Sequence, residues 1–99
     1  MEKPIIPTIT KYCNFESLGW AGFIDVEGIR SISPAFEEDN RLFIIISYEN
    51  GEPVKLYAKT LENANDLAKH IFNHMDEFKD KWNRYQYEHH MYWLTKKRY

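Results

Sequence analysis

Leu61, Ala64, Ala68, Ile71, Met75, Phe78, Trp82, Tyr85, His89 and Tyr92 recur at alternating steps of three and four. That spacing gathers side chains on one stripe of an α-helix. The pattern predicts a long amphipathic helix over residues 60–94. Thr60 is placed to cap it by accepting a hydrogen bond from a free first-turn amide, and Glu62 complements the positive end of the helix. No Gly or Pro follows Leu61, although the polar run Asp76–Lys81 leaves room for a kink or break. The first half of the stripe is aliphatic and the second half aromatic, so the halves are expected to serve different partners.

Ahead of the helix the pattern has the shorter period of strands. Trp20–Val26 alternates, with Trp20, Gly22, Ile24 and Val26 on one face and Ala21, Phe23 and Asp25 on the other. Glu27-Gly28 suits a tight hairpin turn into a second strand, Ile29–Ser33, which Pro34 stops. Ala35–Asn40 reads as a loop carrying Glu37, Glu38 and Asp39. Arg41–Tyr48 holds the run Phe43-Ile44-Ile45-Ile46 without alternation, the mark of a central strand covered on both faces. Asn50-Gly51 predicts a type I′ turn into a further strand, Pro53–Ala58, with Val54, Leu56 and Ala58 inward and Lys55 and Tyr57 outward. The proline at its start suits an edge. Residues 1–19, interrupted by Pro4 and Pro7, read as irregular chain or an edge strand leading in, with Ile5, Ile9, Tyr12 and Phe15 available for packing.

The expected fold is therefore α+β in one domain: an antiparallel meander of three to five strands over 20–58, a C-terminal helix over 60–94 and a basic tail over 95–99. One helix covers one face of the sheet. Phe43, Ile45 and Phe23 are left needing cover from the N-terminal segment, a folded-back helix or another chain, because an apolar sheet face is an association site.

Composition sharpens this picture modestly. The 99 residues include three Trp, seven Tyr and six Phe, more aromatic surface than a small core requires, which favours a contact surface. The net charge of −2 supplies no general attraction to nucleic acid or anionic membrane. The longest apolar run, Leu42–Ile46, is far too short to span a bilayer. The N-terminus lacks the apolar run of a signal peptide, and Cys13 as sole cysteine excludes an intrachain disulfide and suits a reducing compartment. A cytoplasmic location is expected.

Three sets of residues carry candidate chemistry. His70 and His74 stand four apart and Glu77 three further on, a spacing that can converge two imidazoles and a carboxylate on zinc. The same spacing describes a polar flank beside the Ile71/Met75/Phe78 seam. Trp82, Tyr85, Tyr87, Tyr92 and Trp93 stand among Lys79, Lys81, Arg84, Lys96, Lys97 and Arg98, and residues 76–99 carry six basic and four acidic side chains. Rings beside cations are what single-stranded nucleic acid binders use. However, Trp, Tyr and Arg also dominate protein interfaces, and no helix-turn-helix or Gly-rich loop accompanies them. The acidic run Glu37–Asp39 and the pair Asp25/Glu27 fit solvated loops. Cys13 has no adjacent base, and no nucleophile-base set or phosphate-binding loop is visible, so no enzyme and no cofactor is expected.

The reading that follows is a small non-enzymatic protein-interaction module, self-associating as a homodimer or higher oligomer. It would bind or occlude a protein partner through Trp82, Tyr85, Tyr92, Trp93 and Arg84, with Phe23 and Phe43 on the second sheet face. Phage- or mobile-element-encoded inhibitors of host systems are one form such modules take. Single-stranded nucleic acid binding through Lys96, Lys97 and Arg98 is the alternative, and zinc binding through His70, His74 and Glu77 a further one.

Overall fold

The computed structural model describes residues 2–97. It is α+β, as the patterning predicts: antiparallel strands followed by one long helix. The strands are β1 (Tyr12–Asn14), β2 (Phe23–Asp25), β3 (Ile29–Ile32), β4 (Phe36–Glu38), β5 (Arg41–Tyr48) and β6 (Val54–Ala58), and the helix is α1 (Leu61–Lys97).

The strands form the expected meander-like antiparallel arrangement, divided into two sheets. β1 pairs with β2, and β5 is the centre of the second sheet, bonded to β3 and β4 along one edge and to β6 along the other. The Glu27-Gly28 turn exists, with Gly28 at φ +79°, but it passes the chain from one sheet to the other instead of closing a hairpin. The strand expected over 20–26 is also trimmed, because Gly19 (φ +78°) and Gly22 (φ +106°) hold the chain out of extended geometry.

β3 and β4 run as one interrupted strand beside β5. Ile32 faces Ile46 and Phe36 faces Phe43, which leaves one residue more on the β3–β4 side. Pro34 sits in this bulge, where its missing N–H costs no ladder bond. Ser33 repairs the edge: its N–H donates to the Ile45 carbonyl at 2.9 Å and its Oγ accepts from the Ile45 N–H at 2.8 Å.

Two turn assignments change. The loop expected over 35–40 contains β4, joined to β5 by Asp39-Asn40, both at positive φ (52° and 62°), the geometry of a type I′ hairpin. Asn50-Gly51 instead lies in a wider connection from β5 to β6. Asn50 is not at positive φ, and Ser47 and Tyr48 stay paired with β3 beyond the last β5–β6 pair, Ile46 with Val54. Pro53 cannot donate to a continued ladder.

Both sheets close on the first turns of α1. Cys13 and Ile24 from the first sheet, with Phe15 and Val26 just beyond its strands, meet Ile29, Ile44 and Ile46 from the second, and Ala64, Leu67 and Ile71 from the helix complete the core. Thr60 Oγ1 accepts from the Asn63 N–H at 3.0 Å, the expected cap. The buried face is broader than a strict three-four ladder: Leu67, off that ladder, is fully buried, whereas Leu61, on it, is 58% exposed. The helix continues unbroken through 76–81 and absorbs residues 95–97 of the expected tail. At ~1.5 Å per residue it is about 55 Å long, in a molecule 66 Å in its longest dimension. No helix among the described residues is long and apolar enough to cross a membrane.

Candidate interaction surfaces

An N-terminal arm, residues 2–11, and the end of β1 that follows it reach the helix through their backbone. His70 Nε2 lies 2.7 Å from the Asn14 carbonyl, His74 Nε2 lies 2.8 Å from the Thr10 carbonyl, and Trp82 Nε1 donates to the Ile9 carbonyl at 2.9 Å. A carbonyl only accepts, so both imidazoles carry their proton on Nε2. Backbone carbonyls are thus what the two histidines meet, and Glu77 turns instead to Lys81, at 2.7 Å. That hydrogen bond and charge hold the Glu77 carboxyl below its ordinary range. Among the described residues no three His, Cys, Asp or Glu side chains are gathered as a metal-binding group.

Trp82 therefore has an intramolecular partner that its sequence position does not disclose. A groove of about 380 Å³ lies beside it, lined by Pro7, Ile9, Thr10, Lys11, Glu27 and Phe78. Farther out on the arm, Ile5 is 90% exposed and Ile6 is exposed as well.

From Trp82 onward the rings stack along the helix. Centroids are 5.7 Å apart for Trp82–Tyr85, 5.6 Å for Tyr85–His89 and 6.0 Å for His89–Trp93. Trp93 Nε1 donates to His89 Nε2 at 2.9 Å, so His89 carries its proton on Nδ1, the opposite tautomer to His70 and His74. Lys96 lies over Tyr92 and Trp93, at 5.4 and 5.6 Å. Arg84 pairs with Asp80 at 3.5 Å on the exposed flank. All these ring contacts lie within one helix. A second stripe, Tyr87, Met91 and Leu94, runs along the same segment with Tyr87 and Leu94 exposed. Its three-four spacing is readable in the sequence, though the main ladder masks it.

The outer face of the second sheet closes on itself. Phe43 is 5% exposed although it lies outside the main core, because Phe36 and Tyr57 flank it at 6.0 and 5.8 Å and Lys55 lies over its ring at 4.8 Å. Cross-strand neighbours, not another element, supply the cover for Phe43. Phe36 and Tyr57, each half exposed, are the residues this face presents. Phe23 is not among them: it lies in the first sheet, 65% exposed, with its ring edge-on to Tyr12 at 5.3 Å.

Of the cationic set, Lys96 is committed to its aromatic neighbours, Lys97 ends α1, and Arg98 lies outside the described residues. Cys13 is fully buried, and burial pushes its thiol pKa up, the reverse of what a nucleophile needs. No protein-family profile, no characterised protein and no solved structure matches the chain.

Proposed function

We propose that this protein is a non-enzymatic interaction module that associates with protein, including itself, through the distal half of α1. The observation that carries the reading is the aromatic ladder from Tyr85 to Trp93, whose ring contacts among the described residues all stay within its own helix. A helix bearing that much apolar surface along an unpaired seam gains free energy from burial against another chain. Protein is favoured over single-stranded nucleic acid because Lys96 already lies against Tyr92 and Trp93, the rings on which bases would stack.

Molecular mass in solution across a concentration series tests the reading. The expected result is a mass that rises with concentration, and a double variant, Tyr85→Ala with Tyr92→Ala, that stays monomeric with unchanged far-UV circular dichroism. A strict monomer at every concentration overturns self-association. Salt-dependent binding to single strands, lost when Lys96, Lys97 and Arg98 are neutralised, favours the nucleic acid alternative instead.

A further inference from the structure

β6 is a free edge of the second sheet, and its pairing with β5 fixes which of its backbone groups are unspent. We propose that this edge docks an extended segment of another protein, one that alternates acidic and apolar side chains and adds to β6 as a further strand. The site is separate from the distal half of α1.

The N–H and C=O of Ile45 both bond to Ser33, on the β3–β4 side of β5. Successive residues of a strand turn these groups to opposite edges. Leu42, Ile44 and Ile46 therefore face β6, and their partners Ala58, Leu56 and Val54 face back. Lys55 and Tyr57 are left with N–H and C=O turned outward. Among the described residues β6 pairs with β5 alone, and neither outward pair of groups has a backbone partner. The β5–β6 register runs without a shift from Leu42–Ala58 to Ile46–Val54, so no bulge blunts this edge.

Lysine is a common guard on such edges, and here the guards are Lys55 and, just past the strand, Lys59. Among the described residues neither is in an ion pair. A second copy would bring its own two lysines to the seam, and no residue of β6 is acidic. An acidic strand turns the guard into an attraction. Lys55 lies over the Phe43 ring, which holds its ammonium on the outer face of the sheet, so the acidic side chains lie on that face. The other face is apolar. α1 packs against β1, β5 and β6. His70 and His74 take its β1 flank, and Leu61 and Phe72, eleven residues apart and so nearly in line along the helix, stand exposed on the opposite flank. Alternate side chains of an added strand project to opposite faces, one set toward the lysines and the other toward Leu61 and Phe72. Main-chain bonds supply affinity and the alternate side chains specificity, the division of labour in strand addition.

The probe is the synthetic peptide Glu-Val-Glu-Val-Glu-Val-Glu, and the readout is amide hydrogen exchange along β6 by NMR. In the free chain Lys55 and Tyr57 should exchange fast and Leu56 slowly. Millimolar peptide should slow Lys55 and Tyr57 by about tenfold or more and leave Leu56 unchanged. Tyr57→Pro removes one outward N–H without removing a β5 bond and should abolish protection at Lys55. Lys55→Glu with Lys59→Glu keeps the edge intact, should weaken the peptide about tenfold, and decides the matter if the proline variant fails to fold. Exchange at Lys55 and Tyr57 that stays fast with millimolar peptide overturns the docking site. Equal binding of Lys-Val-Lys-Val-Lys-Val-Lys overturns the acidic chemistry. Protection that grows with the chain's own concentration, without peptide, gives the edge to a second copy and overturns the inference. Tyr85→Ala with Tyr92→Ala should bind the peptide as the wild type does; lost binding there would place the peptide on the helix and overturn the inference as well.

Discussion

Replacing His74 with alanine removes one of the two helix side chains that bond to the N-terminal arm, and the consequence can be read at a different residue. The Thr10 carbonyl that His74 meets is solvent-exposed, so water replaces the lost donor and the cost stays near the middle of the ~0.5–1.5 kcal/mol range for a neutral hydrogen bond. Ordering backbone costs about 1–2 kcal/mol per residue. The arm is therefore held by a narrow margin, and about 1 kcal/mol shifts its open population roughly fivefold. Trp82 reports on that population, because its indole N–H is closed off by the Ile9 carbonyl only while the arm is docked. His74→Ala should accelerate exchange of the Trp82 indole proton about fivefold by NMR. The Trp93 indole, bonded within the helix to His89, should keep its wild-type rate and serves as the internal reference. An unchanged Trp82 rate would mean that His74 and Trp82 do not secure one segment. Equal acceleration of both indoles would mean that the helix, not the arm, has loosened.

Two further outcomes follow from groups in and around the core. Tyr48 donates its hydroxyl to the Asp25 carbonyl at 2.7 Å; burial, then the negative charge of Asp25, raises its pKa above the ordinary 10.0. The folded state keeps the Tyr48 proton longer than the unfolded one, so this contribution to stability is complete below pH 10 and lost as pH rises through the folded value. Urea titrations should show Tyr48→Phe about 1 kcal/mol less stable at pH 7 and less sensitive to pH above 10; parallel curves would refute the assignment. Cys13, fully buried with its thiol pKa raised by burial, should react with a disulfide reagent only as fast as the domain opens. Stoichiometric labelling within seconds at pH 8 would contradict its place in the core.

What the sequence made legible is what repeats locally. The stripe of α1, the cap at Thr60, the apolar centre of β5 and the alternation of β6 each declare themselves within a few neighbouring residues. Asp39-Asn40 was hidden because two non-glycine residues at positive φ look, in sequence, like the end of an acidic loop. Asn50-Gly51 carried the stronger turn signature, but Ser47 and Tyr48 remain paired with β3, which holds the connection open. Distance in sequence hid the roles of His70, His74 and Trp82. Their carbonyl partners lie 56, 64 and 73 residues away, and a backbone acceptor has no residue identity to match. Phe43 and Phe23 are both apolar strand residues, and only the division into two sheets separates the covered ring from the exposed one.

The arm is moored to the helix at Ile9 and Thr10 by their carbonyls, a group that every amino acid carries. The mooring thus senses the path of the chain and is blind to its lettering. Substitution can rewrite the outward-facing residues of the arm, Ile5 and Ile6 among them, without loosening these attachments. The helix can thereby keep one fixed dock while the segment tied to it acquires new surface chemistry, which separates what holds the arm from what the arm can come to recognise.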